Sequence, residues 1–219
     1  MSWRWTSNTA LTAVLCEWML VAAFASESKD DLFKPNYADV MLTPYGGTNV
    51  APRLVASRSR FPLRVIVIND GAFSARYFDA VKQACSAWTE ATKNVSQGGV
   101  TLTCENGLDP LGADVVIRFG TLSQTNGYEG LTQEFGQWAL IRLAVFDASG
   151  VPVSLAKLKR VAMHEFGHAL GIWGHSPNPK DIMSLDEHAS SITDADVNTL
   201  LLAYSQDGSK VSPCATKRR

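Results

Sequence analysis

Histidine is scarce in this chain and none occurs before His164, so a metal held by imidazole has to be built from the C-terminal part of the sequence. Basic runs are missing too. Lysine and arginine are scattered and balanced by acids to a net charge of -1, which removes the positive stripe that a nucleic-acid binder needs. Three basic residues stand in a row only at Lys217, Arg218 and Arg219, and they read as a solvated tail. Internal repeats are absent, which excludes solenoids and propellers. The apolar stretch at residues 10–25 is shorter than a membrane span and carries Glu17 in its middle, so no stable membrane anchor is expected.

What that stretch does resemble physically is an export signal. Arg4 supplies the positive start, and Ala23, Phe24 and Ala25 form a small-x-small cleavage pattern, so removal after Ala25 is expected and with it a secreted, extracellular or periplasmic location. An uncleaved anchor and a lipid on Cys16 are the weaker readings, because Ala13, Val14 and Leu15 do not form a lipobox. Loss of the signal leaves Cys85, Cys104 and Cys214. A disulfide between Cys85 and Cys104 is the expected pairing, since both fall in the folded region and close a short loop; Cys214 is then the odd one near a flexible end.

At 219 residues and 46% hydrophobic, the chain is sized for one ordinary core. Residues 26–59, with Pro35, Pro44, Gly46, Gly47 and Pro52, show no sustained period and read as a linker or a short wrapping arm. A domain is expected over 60–206 and a flexible tail over 207–219. Within the domain, residues 62–69 are β-branched and apolar enough for a buried strand. A helix follows over about 73–92, with Phe73, Tyr77, Val81, Cys85 and Trp88 on one stripe. Further strands are expected at 100–104, closed by Glu105, Asn106 and Gly107, and at 113–119, 130–133 and 138–146. A strand, helix, strand order implies a right-handed crossover and a mixed, mainly parallel sheet. Ser154 caps a helix over 155–170, and Thr193 caps a last helix whose buried stripe is Val197, Leu200, Leu201 and Tyr204.

The chemistry is concentrated in one stretch. His164 and His168 are four apart on a helix, so both imidazoles leave the same face and can reach one ion, while Glu165 sits beside them, placed to take a proton without becoming a ligand. Imidazole donors suit zinc, and three protein ligands leave a fourth position open. The helix has to stop before a third ligand can return, and Gly171 is where it is expected to close in the left-handed conformation. His175 is then the third ligand, with His188 the runner-up.

These residues resemble the metzincin proteases, and among them the matrixins, whose pattern is H-E-x-x-H-x-x-G-x-x-H followed by a turn carrying methionine beneath the zinc. Here Ile172, Trp173 and Gly174 separate Gly171 from His175, one residue more than the pattern, and Gly174 helps the bend absorb it. The segment from His175 to Met183 looks like the matrixin run from third histidine to Met-turn, and Leu185, where some other metzincins carry tyrosine, favours the matrixin side. The resemblance implies an α+β zincin-like fold with a backing helix, an active-site helix, a C-terminal helix and an edge strand at 130–133 along the cleft. It implies one catalytic Zn2+ on His164, His168 and His175, Glu165 as general base, and a secreted endopeptidase acting on an extended peptide or protein substrate. The pro-segment cysteine of matrixins has no counterpart, and a second, structural zinc is not expected. Structural calcium is allowed by Glu105, Asp109, Asp147 and Asp186, whose spacing assigns no site. The competing readings are a zinc-binding but catalytically inactive homologue and a surface protein whose motif is accidental. A monomer is the simplest expectation.

Overall fold

In the computed structural model, residues 34–37, 40, 61–94 and 99–205 are described. The chain divides into two units, Met1–Lys34 and Pro35–Arg219, and the fold below is that of the second. The export signal, Cys16, most of the 26–59 segment, the 207–219 tail and Cys214 lie outside the described residues.

The sheet begins with β1 (Leu63–Ile68), whose residues from Val65 onward are buried on both faces, as a strand inside a parallel sheet must be. From it the chain runs into α1 (Ala75–Thr92), which buries Tyr77, Val81, Cys85 and Trp88 along the expected stripe, and returns as β2 (Leu102–Gly107), parallel to β1. β3 (Val115–Thr121), a single 3-10 turn (Leu122–Thr125), β4 (Gly130–Glu134) and β5 (Ala139–Phe146) complete a sheet of order β2-β1-β3-β5-β4. Only β4 runs antiparallel, against β5, and it lies at the sheet's end. α2 (Leu155–Leu170) and α3 (Asp194–Ser205) follow. This is the α+β architecture anticipated, a mainly parallel sheet with α1, α2 and α3.

Two expectations need correction. Glu105, Asn106 and Gly107 do not close β2 but form its second half, in register with Ile66, Val67 and Ile68. A polar composition reads as a turn, yet β2 is an edge strand whose outer side faces water, and pairing with buried β1 outweighs the weak propensity of those residues. The expected disulfide is not formed either: Cys85 and Cys104 are free thiols. They meet where α1 packs on β2, and burial first, then the contact with Cys104, push the Cys85 thiol well above its ordinary pKa, so it is a protonated packing group.

The main core lies between α1, α2 and one face of the sheet. Two buried hydrogen bonds tie the helices at their polar atoms. Trp88 Nε1 donates to Met163 O across α1 and α2 at 2.8 Å, and the Tyr204 hydroxyl donates to Leu170 O at 2.9 Å, satisfying one of the carbonyls that the end of α2 leaves open. At Tyr37 the chain ahead of the domain packs onto α3, where Tyr37 N donates to Thr199 Oγ1 at 3.1 Å and its hydroxyl to Asp196 Oδ1 at 2.6 Å.

Candidate metal centre

α2 begins as its sequence dictates, with Ser154 Oγ accepting from Lys157 N at 3.2 Å. It ends at Gly171, whose φ of 119° places it in the left-handed region, with Gly171 N bonded back to Gly167 O and His168 O. The bend that follows buries Ile172 completely and brings His175 back to α2. The ring centroids of His164, His168 and His175 form a near-equilateral triangle with sides of 4.8, 5.1 and 5.2 Å. One ring nitrogen from each lies within 4.8 Å of the others, close enough for small ring movements to bring all three onto one ion. The additional residue in the bend therefore does not keep His175 away. Its neighbour Ile172 also supplies a carbonyl to the site.

That carbonyl sets a tautomer. His168 Nδ1 lies 2.6 Å from Ile172 O, and His164 Nδ1 lies 2.8 Å from Ile182 O. Facing a carbonyl, each Nδ1 must carry the proton, which leaves Nε2 with its lone pair free for a cation. Burial, partly offset by the Ile182 carbonyl, pushes the pKa of His164 down to about 4; burial and the neighbouring histidines hold His168 well below its ordinary value, and burial lowers His175. Neutral imidazoles with oriented Nε2 atoms are the donor chemistry that zinc takes, so these residues fit that metal.

Glu165 is buried on the next position of α2. Burial raises its carboxyl to about 7, against which the hydrogen bonds from Thr132 pull it down. Thr132 Oγ1 donates to Glu165 Oε2 at 2.6 Å and also sits 3.1 Å from Glu165 O, pinning β4 to α2. Close approach depends on Gly130. A Cβ there would lie 2.5 Å from Glu165 Oε1 and 2.7 Å from Val161 Cγ1. Gly130→Ala is therefore expected to push β4 off the helix and shift the carboxylate, lowering kcat/KM by about tenfold or more and stability by about 1–3 kcal/mol. Steady-state kinetics and a thermal melt check this, and a variant with unchanged kinetics contradicts it.

Met183 is fully buried beneath α2 at Gly167, where an added Cβ would collide with its sulfur and fall 3.2 Å from Trp88. Its turn is held by a buried polar network. Asp196 Oδ2 accepts from Ile182 N at 2.9 Å and Thr193 N at 2.8 Å, while Oδ1 accepts from Met183 N at 3.3 Å and the Tyr37 hydroxyl. Asp181 accepts from Ser176 Oγ at 2.5 Å and Thr193 Oγ1 at 2.8 Å. Thr193 also receives the Asp196 amide on its hydroxyl, which makes the expected cap of α3 a reciprocal box.

His188 stays outside the cluster, exposed and 2.6 Å from Asp186 Oδ1. The calcium expectation gains no support. Glu105 pairs with Arg64 on the neighbouring strand, while Asp109 accepts from Leu111 N, Asp147 from Ser149 N and Val151 N, and Asp186 from the His188 amide, each within its own turn. Among the described residues the three histidines are the only cluster suited to a metal, and no helix there is long and apolar enough to cross a membrane.

The protonation pattern sets the behaviour of the metal-free protein in acid. His164 resists protonation to about 4 in the fold, whereas an unfolded chain takes the proton near 6.5, so the stability it contributes is complete above 6.5 and is lost as pH falls towards 4. His168 acts in the same direction. Glu165 acts oppositely, stabilising below about 4.5 and losing that contribution as pH rises through about 7. Two histidines outweigh one glutamate, and the melting temperature of the metal-free protein is expected to drop between pH 6.5 and 4.5, less steeply in His164→Gln. Equal slopes in the two proteins refute this assignment.

Helix, turn and edge strand around three imidazoles and a buried carboxyl define the class of zinc metalloprotease domains. Within that class the chain belongs to the matrixin family: the family model, Matrixin, matches residues 69–204. No curated protein matches the chain.

Proposed function

We propose that the protein is a secreted zinc endopeptidase that hydrolyses peptide bonds with Glu165 as general base. The observation that carries this reading is the convergence of His164, His168 and His175 beside the Glu165 carboxyl in a cleft of about 410 Å³ bordered by β4. Zinc would be held by His164 and His168 through Nε2 and by one ring nitrogen of His175, and would supply a Lewis acid that acidifies water and polarises a carbonyl.

The remaining work falls to the chain. Glu165, whose carboxyl is raised by burial and lies on the helix between the two histidines, is placed to accept a proton from the attacking water and to return it to the leaving amine. Thr132 holds the carboxylate by one oxygen and leaves Oε1 for the proton. β4 pairs with β5 on one side only, so its other edge offers main-chain groups to an extended peptide, which favours substrates bound by backbone rather than by one side chain. Tyr128, Leu131 and Leu185 give the cleft apolar walls.

Purified protein is expected to carry one zinc per chain and to cleave casein or a peptide library mapped by mass spectrometry. A chelator should abolish cleavage by more than about tenfold, and stoichiometric zinc should restore it. Cleavage indifferent to chelation sinks the metal-dependent reading. Zinc without cleavage selects the inactive homologue.

A further inference from the structure

The bend that departs from the family pattern contains a residue whose role the motif does not supply. Trp173 lines the cleft with Tyr128, Leu131, Leu185 and the histidines, and its ring lies 27° from parallel with His168, centroids 6.4 Å apart. Its Nε1 is buried and has no hydrogen-bond partner, alone in this among buried side-chain nitrogens and oxygens of the described residues. Trp88, fully buried in the core, spends its indole N–H on Met163 O. A buried indole donor ordinarily meets an acceptor, and an unmet one costs free energy wherever it sits. In the wall of a binding cleft, the acceptor is one that a ligand brings.

We propose, resting on the peptidase reading above, that Trp173 is a substrate-positioning residue whose indole N–H takes a main-chain carbonyl oxygen of the bound peptide. Indole only donates and carries no charge, so it favours a neutral acceptor. An extended peptide presents such an oxygen at every residue, whatever its side chains. Apart from the three histidines, the cleft lining contains no lysine or arginine that would recruit a carboxylate instead. Because Nε1 is covered in the free protein, the ring has to turn to present it as the bond forms. Gly171 and Gly174 flank the turning segment, while Ile172, fully buried, keeps its root in place.

The test is a cycle of binding measurements on zinc-loaded Glu165→Gln protein, with and without Trp173→Phe. The probes are a fluorescent peptide that the wild type cleaves and analogues with one carbonyl at a time reduced to methylene, away from the scissile bond. Trp173→Phe is expected to weaken the parent peptide about tenfold by anisotropy with zinc content unchanged. One analogue should lose about tenfold on the Trp173 protein and nothing further on the Phe variant, the non-additivity that a direct bond produces. With Glu165 intact, the loss should appear in KM, with kcat within about twofold. Replacing Trp173 by benzothienylalanine, which keeps the bicyclic ring and lacks the N–H, should reproduce the result and guards against misfolding of the Phe variant. Equal penalties for every analogue on both proteins overturn the role of Trp173 alone. A wild type that neither binds nor cleaves any peptide overturns the peptidase reading and this inference with it.

Discussion

Glu165→Gln is expected to lower peptide hydrolysis by about 10²–10⁴-fold while leaving zinc content and fold intact. Glutamine matches the shape of the side chain packed against Gly130, and its carbonyl oxygen can keep the Thr132 hydroxyl as donor. What it lacks is the capacity to accept a proton. In the metal-free protein the same substitution is expected to raise the melting temperature above pH 7. The carboxyl titrates at about 7 in the fold and near 4.5 when unfolded, so above pH 7 the whole cost of burying its charge is present and the neutral amide relieves it. Loss of activity with gain of stability marks a group kept for chemistry rather than for packing. Wild-type turnover by the zinc-loaded variant would falsify the assignment of Glu165 as base.

Asp196→Ala is expected to cost about 3–5 kcal/mol, roughly 10 °C in melting temperature. Asp196 is completely buried and collects the amides of Ile182, Met183 and Thr193 together with the Tyr37 hydroxyl, all of which would be left without an acceptor. The damage should extend to the metal. Ile182, fixed through its amide by Asp196, presents the carbonyl that orients His164, so zinc affinity is expected to fall about 10–100-fold. The milder substitution Asp196→Asn keeps one acceptor oxygen and should fall between. Urea unfolding and zinc competition with a chromogenic chelator measure both effects, and an unchanged midpoint and affinity would show that the network is decorative.

The two predictions differ in how visible their residues are along the chain. Glu165 is announced by its neighbours, because four-residue spacing on a helix is a local geometry that brings His164 and His168 together wherever the helix forms. Gly171 is equally local, since a left-handed closure needs a residue without Cβ, and the observed φ of 119° is a conformation that side chains avoid. Asp196 was legible only as an acidic residue in the first turn of a capped helix. That it also holds the turn carrying Met183 depends on α3 docking against that turn, a contact between segments with no shared periodicity. Thr132 and Gly130 were placed on the edge strand, but their grip on Glu165 follows from how β4 lies on α2.

The error at β2 has the same origin. Glu105, Asn106 and Gly107 have turn-like composition, and only the neighbouring β1 makes a strand of them. Cys85 and Cys104 share one folded region, as their positions predict, but their proximity is not a bond. The sequence by itself determined the helical pair of imidazoles, the glutamate between them, the stop at Gly171 and the alternation of strands and helices, because each depends on the chemistry of residues a few positions apart. The tertiary structure alone decided which oxygens orient His164 and His168, what presses on Glu165, and that one indole N–H beside the cleft is left without an acceptor. Those depend on distances between elements far apart in the chain, which packing sets and no local pattern encodes.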